Sequence, residues 1–358
     1  MMRLAFYAPM KPPDDPRPSG DRTIARNLID ALKSTGAAVT LTSRFRSRDG
    51  DGDATSQARL MQAAEDEIAA TIPQGRAGGW QAWITYHNYY KAPDLVGPAV
   101  SKSLGIPYIL IEATRAKKRL VGPWADFAQR AEAACDAADA IFFLSQRDGQ
   151  TLQRDAPEGQ KLIHLRPFLP MDELPAQAQG DGGILSVGMM RAGDKLASYR
   201  VLAETLRHLQ TPDWQITVAG DGPARDEVHR MMSPFGKAVR FTGALCEAAL
   251  AAQYHQARVF IWPGVNEALG MVYLEAQAHG VPVLAQNRPG LRELFAPDAA
   301  LPEVEAGPKA LAAALDHLLS TPEARHTLGC HAREHVARHH LRPVAARTLM
   351  TTLEGLCA

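Results

Sequence analysis

Short apolar runs rich in β-branched and aromatic residues alternate along this chain with longer, alanine-rich amphipathic segments. This order is typical of βα units, in which helices cover both faces of a parallel sheet. The pattern predicts an α/β protein with two successive sets of strands, each forming a doubly wound sheet. The predicted strands lie at residues 3–7, 38–42, 82–86, 107–111, 140–144 and 162–165, and then at 184–187, 215–218, 238–241, 259–262 and 282–285.

The length of 358 residues also favours two domains, because a single hydrophobic core seldom extends over so long a chain. Around residues 168–183 the apolar periodicity is lost and prolines and glycines become frequent, which is typical of an interdomain linker. We therefore predict Rossmann-like domains at 1–168 and 169–335, and a closing helix at 336–358 that could pack back on the first domain. The cleft between the domains is the expected ligand site.

The charge balance excludes some classes of partner. Lysine plus arginine and aspartate plus glutamate number 39 each, so the overall field does not favour nucleic acid. The four cysteines are far apart and form no CxxC pair, which indicates a reducing compartment and argues against a zinc site. Prolines and acids break the first apolar run, so no signal peptide is expected. These features predict a cytoplasmic protein, and no motif of the chain calls for a bound metal or cofactor.

The segment 259–294 carries the most informative pattern. A buried strand is expected to end at Pro263, a loop then carries Glu267, and a helix is expected from about Gly270 to Gly280. Amides that lie at a helix start are not used by the helix itself, and the helix dipole favours negative charge there. The loop and the helix start are therefore predicted to bind an anion.

The expected anion is a diphosphate, held by the amides of Leu269, Gly270 and Met271. A carboxylate accepts hydrogen bonds from two adjacent hydroxyls, so Glu267 on the loop and Glu275 on the helix could each hold a diol. One diol would belong to a sugar and the other to a ribose. The residue types thus point to a nucleoside-diphosphate sugar.

Glu267 and Glu275 also resemble the E-x7-E signature of retaining family-4 GT-B glycosyltransferases, the glycosyl transferases group 1. Upstream, ITVAGDGPARDEV, VRFTGAL and AAQYHQARVFIWP follow one another in the order typical of that family. The resemblance implies the GT-B fold, with two Rossmann-like domains that face a central cleft. It also implies metal-independent catalysis, with the first glutamate on the donor sugar and the second on the ribose.

The segment 184–199 resembles the part of the family that supplies an arginine and a lysine to the donor phosphates. Lys195 matches the lysine. The place of the arginine is taken by Met189, and Arg191 follows two residues later; Ala268 replaces the first glycine of the family's G-F-G. The donor-binding residues implied are Gly20, Gly188, Arg191, Lys195, Gly220, Gly243, Glu267, Ala268, Leu269, Gly270, Met271 and Glu275.

The reacting carbon has a less regular set of residues. Many relatives carry a histidine at the end of the fourth strand, where this chain has Glu112. His87, at the end of the third strand, is the alternative polar group. With Glu267 and Lys195, these two residues complete the predicted catalytic set, and the choice between His87 and Glu112 stays open.

A basic run follows the fourth strand. Arg115, Lys117, Lys118 and Arg119 could form a solvated loop, bind a phosphate on the acceptor or contact an anionic lipid surface. Peripheral contact with the inner face of the membrane is therefore a further expectation.

The resemblance implies transfer of a sugar, with retention, from a UDP- or GDP-linked donor to an acceptor hydroxyl. The acceptor could be a saccharide, a lipid-linked saccharide or a small molecule, as in the synthesis of cell-surface polysaccharide or glycolipid. In such enzymes the leaving phosphate helps to deprotonate the acceptor. The alternatives are a sugar-phosphate synthase or phosphorylase on the same fold, and an inactive subunit that binds sugar nucleotides.

Overall fold

The computed structural model describes residues 1–17, 19–267, 269–299 and 301–358. The chain forms two compact units. Unit 1 comprises Met1–Arg166 and Arg342–Ala358, and unit 2 comprises Pro167–Leu341. The boundary between the units, after Arg166, lies slightly before the predicted linker at 168–183. The C-terminal segment that belongs to unit 1 begins at Arg342, whereas the closing helix was predicted from residue 336.

Unit 1 is built on a six-stranded sheet in which every paired strand is parallel, with the order β2-β1-β3-β4-β5-β6. Its strands are β1 Arg3–Tyr7, β2 Ala38–Leu41, β3 Ala82–Asn88, β4 Tyr108–Ala113, β5 Ala140–Phe143 and β6 Lys161–His164. Its first five helices are α1 Gly20–Ser34, α2 Ala54–Gly78, α3 Gly97–Leu104, α4 Ala125–Ala137 and α5 Gln146–Asp155.

Unit 2 has a five-stranded parallel sheet with the order β11-β10-β7-β8-β9. Its strands are β7 Ile184–Val187, β8 Ile216–Ala219, β9 Val239–Gly243, β10 Val259–Ile261 and β11 Val283–Leu284. Its helices are α6 Asp194–Arg207, α7 Arg225–Met232, α8 Glu247–Gln256, α9 Met271–Ala278, α10 Gly307–Ser320 and α11 Pro322–His339. The predicted fold class of two doubly wound sheets is confirmed.

The chain then returns to unit 1 as α12, Arg342–Cys357, which packs on α1. Each of these helices buries one apolar face. In α1 the buried residues recur at helical spacing, and the same is true of α12. These residues are Ala25, Leu28, Ala31 and Leu32 in α1, and Ala345, Ala346, Leu349 and Leu353 in α12.

The central strands of both sheets are almost wholly buried, as expected for parallel strands covered on both faces. Because all strands of a unit are parallel, their carboxyl ends meet at one edge of its sheet. In unit 2 that edge carries Gly188 after β7, Gly220 after β8 and Pro263 after β10. In the described part of the chain, none of the helices is both long and apolar enough to cross a bilayer.

Candidate functional site

The strongest polar contact at this edge of unit 2 joins Lys195 and Glu267. Lys195 Nζ lies 2.5 Å from Glu267 Oε2, and both side chains are largely buried. Trp262 Nε1 donates to the same oxygen at 3.0 Å, and the Trp262 ring is fully buried. Lys195 Nζ also lies 5.4 Å from the centroid of that ring. Two donors therefore fix the carboxylate of Glu267 through one of its oxygens.

The loop that carries Glu267 is tied to the start of α6. Val265 N donates to Ser198 Oγ at 2.9 Å, and Asn266 Nδ2 donates to Asp194 Oδ1 at 3.0 Å. Asn266 has a left-handed φ of 46°, a conformation that asparagine tolerates better than most residues. These contacts, together with the ion pair, hold the loop after β10 against the first turns of α6.

Glu275 lies on α9, and its carboxylate accepts a hydrogen bond from Tyr254. The Tyr254 hydroxyl is 2.8 Å from Glu275 Oε2, and the Tyr254 ring stacks on His279. Burial raises the pKa of Glu275 to about 6, against the opposing effect of the hydrogen bond from Tyr254. The carboxylate of Glu275 is thus held in place but sits in an environment that disfavours its charge.

Two glycines shape the backbone around these groups. A Cβ on Gly220 would lie 1.9 Å from the carbonyl oxygen of Gly188, so the loops after β7 and β8 approach too closely for a side chain there. Gly270 adopts a left-handed φ of 59° as the residue directly before α9. Leu269 and Met271 lie on either side of Gly270, so the helix begins within one residue of the predicted start. Gly243 lies at the end of β9.

The remaining donor-side residues are less constrained. Arg191 and Met189 are both exposed on the loop between β7 and α6. Gly20 is the first residue of α1 in unit 1, with open space around the position of its missing side chain. Ala268 lies outside the described residues. The structure therefore brings Lys195 and Glu267 together but does not place Arg191 against them.

In unit 1, His87 lies between two carboxylates. Its Nδ1 is 3.3 Å from Asp21 Oδ1 and 4.0 Å from Glu112 Oε2. His87 and Glu112 have left-handed φ values of 71° and 59°, which are strained for these residue types. Burial lowers the pKa of His87, but the nearby carboxylates of Asp21 and Glu112 outweigh this effect and raise the pKa above its ordinary value. Both predicted groups thus share one strained cluster.

The predicted basic run is only partly a surface feature. The expectation that Arg115 is available to bind an acceptor phosphate or a lipid surface is wrong. Its side chain is buried and donates to Glu132 and Asp136 at 2.8 and 2.6 Å. Lys117 pairs with Asp155 at 2.7 Å. Arg119 lies over the rings of Tyr90 and Trp124, whereas Lys118 is exposed.

Three contacts of these sites were missed by the sequence interpretation, namely those of Trp262, Tyr254 and Asp21. Trp262 and Tyr254 lie inside the segment that resembles the family, where they read as core aromatics. Asp21 follows a glycine before a helix and reads as a residue of its first turn. A tryptophan at a strand end is the one signal that could have drawn attention, because its N–H needs a partner when buried.

Residues 182–321 match the family model described as Glycosyl transferases group 1. The matched segment lies within unit 2 and contains Lys195, Glu267 and Glu275. Unit 2 carries a glycosyl transferases group 1 domain.

Curated relatives agree with this assignment. A GDP-mannose-dependent alpha-mannosyltransferase of Mycolicibacterium smegmatis is 38% identical over 110 residues, which cover 30% of this chain and 28% of that enzyme. A D-inositol 3-phosphate glycosyltransferase of Frankia alni is 29% identical over 285 residues, 69% of this chain and 68% of that enzyme. The aligned part of the chain spans less than a third of the mannosyltransferase.

The fold of the whole chain has counterparts among solved structures. HepE of Anabaena, solved in complex with UDP, superposes with a TM-score of 0.72 at 14% identity and covers 99% of this chain and 100% of its own. The chain therefore has the two-domain, Rossmann-like GT-B fold, as the resemblance in the sequence implied.

Proposed function

We propose that the protein transfers a sugar, with retention at the anomeric carbon, from a nucleoside-diphosphate donor to an acceptor hydroxyl. The observation that carries the proposal is the fixed carboxylate of Glu267, which is held by Lys195 and Trp262. It lies in the loop between β10 and α9, the helix that bears Glu275. A fixed carboxylate suits recognition of sugar hydroxyls, and Glu275 suits the ribose. The domain family supports the same reading.

The departing diphosphate would be stabilised by charge and by backbone amides. Lys195 is paired with Glu267 here, so a donor phosphate would compete for its ammonium group. The first-turn amides of α9 are not needed by the helix and carry the positive end of its dipole. Together these groups provide preorganised electrostatic stabilisation of the leaving group. We propose that this stabilisation needs no metal ion.

The donor nucleotide is proposed to be uridine or guanosine diphosphate. The mannosyltransferase relative is named for GDP-mannose and the HepE structure holds UDP, so both bases occur among similar proteins. The departing phosphate would help to deprotonate the acceptor hydroxyl. His87, oriented by Asp21, and Glu112 are proposed to act at the reacting carbon or the acceptor.

The alternative of a sugar-phosphate synthase or phosphorylase requires an anion pocket for the phosphate of the acceptor. Arg115 is not available for that pocket, because it is paired with Glu132 and Asp136, so this alternative now depends on Lys118 and Arg119. The alternative of an inactive subunit is excluded if the protein turns over a nucleotide-sugar donor.

A cytoplasmic location with peripheral membrane contact is a further part of the proposal. The described cysteines are all free, which suits a reducing compartment. Leu120 and Val121 are exposed beside Lys118, a combination suited to an anionic bilayer surface. Cosedimentation with phosphatidylglycerol vesicles should fall when Lys118 and Val121 are changed to Ser. Equal sedimentation of this variant and wild type would contradict the membrane contact.

The test of the activity is release of nucleoside diphosphate from a panel of UDP- and GDP-sugars. We expect release from at least one donor, and loss of both release and donor binding in Lys195→Ala and Glu275→Ala. Lys309→Ala and Glu323→Ala are matched controls on the exposed surface of unit 2 and should behave as wild type. Undiminished donor binding by folded Lys195→Ala and Glu275→Ala would refute the assignment of the site.

A further inference from the structure

Arg288 carries a charge that the surrounding protein does not neutralise. The side chain is partly buried just after β11, and its Nη2 donates to Gln286 Oε1 at 2.6 Å. Its Nε is enclosed and has no hydrogen-bond partner within the described part of the chain. Among the residues that the structure describes, no carboxylate lies within ion-pair distance of its guanidinium. A guanidinium in such a place is costly unless an anion joins it.

Two other enclosed arginines have partners that Arg288 lacks. Arg115 has two carboxylates. Arg325 donates to the carbonyls of Leu318 and Leu319 at the end of α10, where the helix dipole favours a cation. These two arginines have a structural explanation within the protein. Among the described residues, Arg288 is hydrogen-bonded to the neutral amide of Gln286 and is not paired with a carboxylate.

The position of Arg288 places it beside the loop of Glu267. β10 and β11 are paired in parallel, and Gln286 N donates to Pro263 O at 3.4 Å just beyond the pairing. The two loops that leave these strands are therefore neighbours, at the strand spacing of about 5 Å. The charges of both Glu267 and Arg288 act on the hydroxyl of Tyr273, which donates to Trp262 O.

The electrostatic surroundings of Arg288 favour an anion beside it. Burial lowers the pKa of Arg288, and the opposing influences of Tyr273 and Glu305 do not cancel the effect. Glu305 is exposed and lies beyond ion-pair distance. An arginine remains charged at any physiological pH even so, because its ordinary pKa exceeds 12. The guanidinium is therefore charged, and no described carboxylate forms an ion pair with it.

We propose that Arg288 binds an oxyanion of the sugar-nucleotide donor. The oxyanion is either a diphosphate oxygen or a carboxylate on the transferred sugar, since both fit the planar fork of a guanidinium. The inference rests on the proposed function, because Arg288 neighbours the loop of Glu267. On the phosphate reading it supplies the cation that the sequence interpretation assigned to Arg191, which is exposed.

The test compares Arg288→Gln with wild type by calorimetric titration at pH 8, where the phosphate charges are constant. The probes are UDP, UDP-glucose and UDP-glucuronate, with GDP, GDP-mannose and GDP-mannuronate in parallel. If Arg288 contacts the phosphates, the variant should bind all three probes of the recognised series, uridine or guanosine, about 10- to 100-fold more weakly. This is the effect of losing a charge-assisted hydrogen bond. A carboxylate contact should weaken only the uronate. Wild-type affinity of Arg288→Gln for all three would overturn the proposal.

Thermal unfolding separates this role from a structural one. Loss of an uncompensated buried charge should leave the Tm of Arg288→Gln unchanged or higher, and Arg288→Lys should recover part of the binding. Arg115→Gln is the matched control and should lower the Tm without changing affinity. A fall in Tm for Arg288→Gln as large as that for Arg115→Gln would refute the proposal. Wild type that binds no probe would refute the proposed function itself.

Discussion

Replacement of Tyr254 by Phe should change the pH at which the protein binds its donor. Tyr254 donates to Glu275 at 2.8 Å, and Glu275 is proposed to accept hydrogen bonds from the ribose as a carboxylate. Binding should therefore strengthen as the pH rises through the pKa of Glu275, near 6. The Tyr254→Phe change keeps the ring that packs on His279 and removes the hydroxyl, which contacts Glu275 at 2.8 Å and the Val272 carbonyl more weakly at 3.4 Å.

The size of the effect follows from the environment of Glu275. Its rise from 4.5 to about 6 corresponds to about 2 kcal/mol against the charged form. A hydrogen bond to a charged group contributes about 1.5 to 3 kcal/mol, so its loss should raise the pKa by a further one to two units, roughly. The midpoint of binding should then move from near 6 to about 7–8.

Titration of Glu275 should also make the stability of the folded chain depend on pH. The pKa of Glu275 is higher in the folded than in the unfolded state, so its contribution to stability is fully present below pH 4.5. That contribution is lost as the pH rises to about 6. In Tyr254→Phe the loss should continue to higher pH, so the variant should be more destabilised at pH 8 than at pH 4.5.

The assay is titration with an intact nucleotide sugar between pH 5 and 9. A nucleoside diphosphate is unsuitable, because its terminal phosphate itself titrates near pH 6. Glu275→Gln should remove the pH dependence. Tyr199→Phe is the matched control, because its hydroxyl donates to the Gly188 carbonyl and not to a carboxylate. A midpoint that stays the same or falls in Tyr254→Phe would refute the reasoning.

Two further predictions concern the other fixed groups. Trp262→Phe should keep the packing but release Glu267. A nucleotide sugar should bind more tightly than the nucleotide alone, and this gain in affinity should fall about 10-fold in the variant, as expected for one hydrogen bond to a charge. An unchanged ratio of the two affinities in calorimetry would contradict the prediction. Asp21→Asn should lower the Tm more at pH 6 than at pH 9, because the raised pKa of His87 stabilises the fold only while His87 is protonated. Asp30→Asn, on the same helix, should show no such difference in thermal scans.

The strands could be predicted because their signal is local. Each buried strand is a short apolar run, many of them next to a glycine or proline, and every predicted strand has a counterpart in the structure. The polar stretch at 44–57 reads as a surface loop by the same rule, yet Ser47, Asp49 and Gln57 are buried. Ser47 donates to the carbonyl of Pro93, and Gln57 to Asp49 and Pro123. Such partners, distant in sequence, leave no local pattern.

The same reasoning applies to the site. Glu267 and Lys195 are identifiable from motifs, but their contact depends on β10 lying beside β7, and strand order is not written in any one segment. The contact of Asp21 with His87 likewise joins a helix start to the end of a strand far along the chain. Arg288 escaped notice for a different reason. Its significance is a missing counter-charge, which is a property of the packed structure.

The return of the chain to unit 1 sets an order of events during synthesis. Residues 1–166 leave the ribosome first and can form their sheet early, while unit 2 is still to be made. The contact between α1 and α12 can form only after residue 341 has been synthesised. Unit 1 therefore begins to fold first but is completed last, and the surface of α1 that contacts α12 stays uncovered while unit 2 is translated.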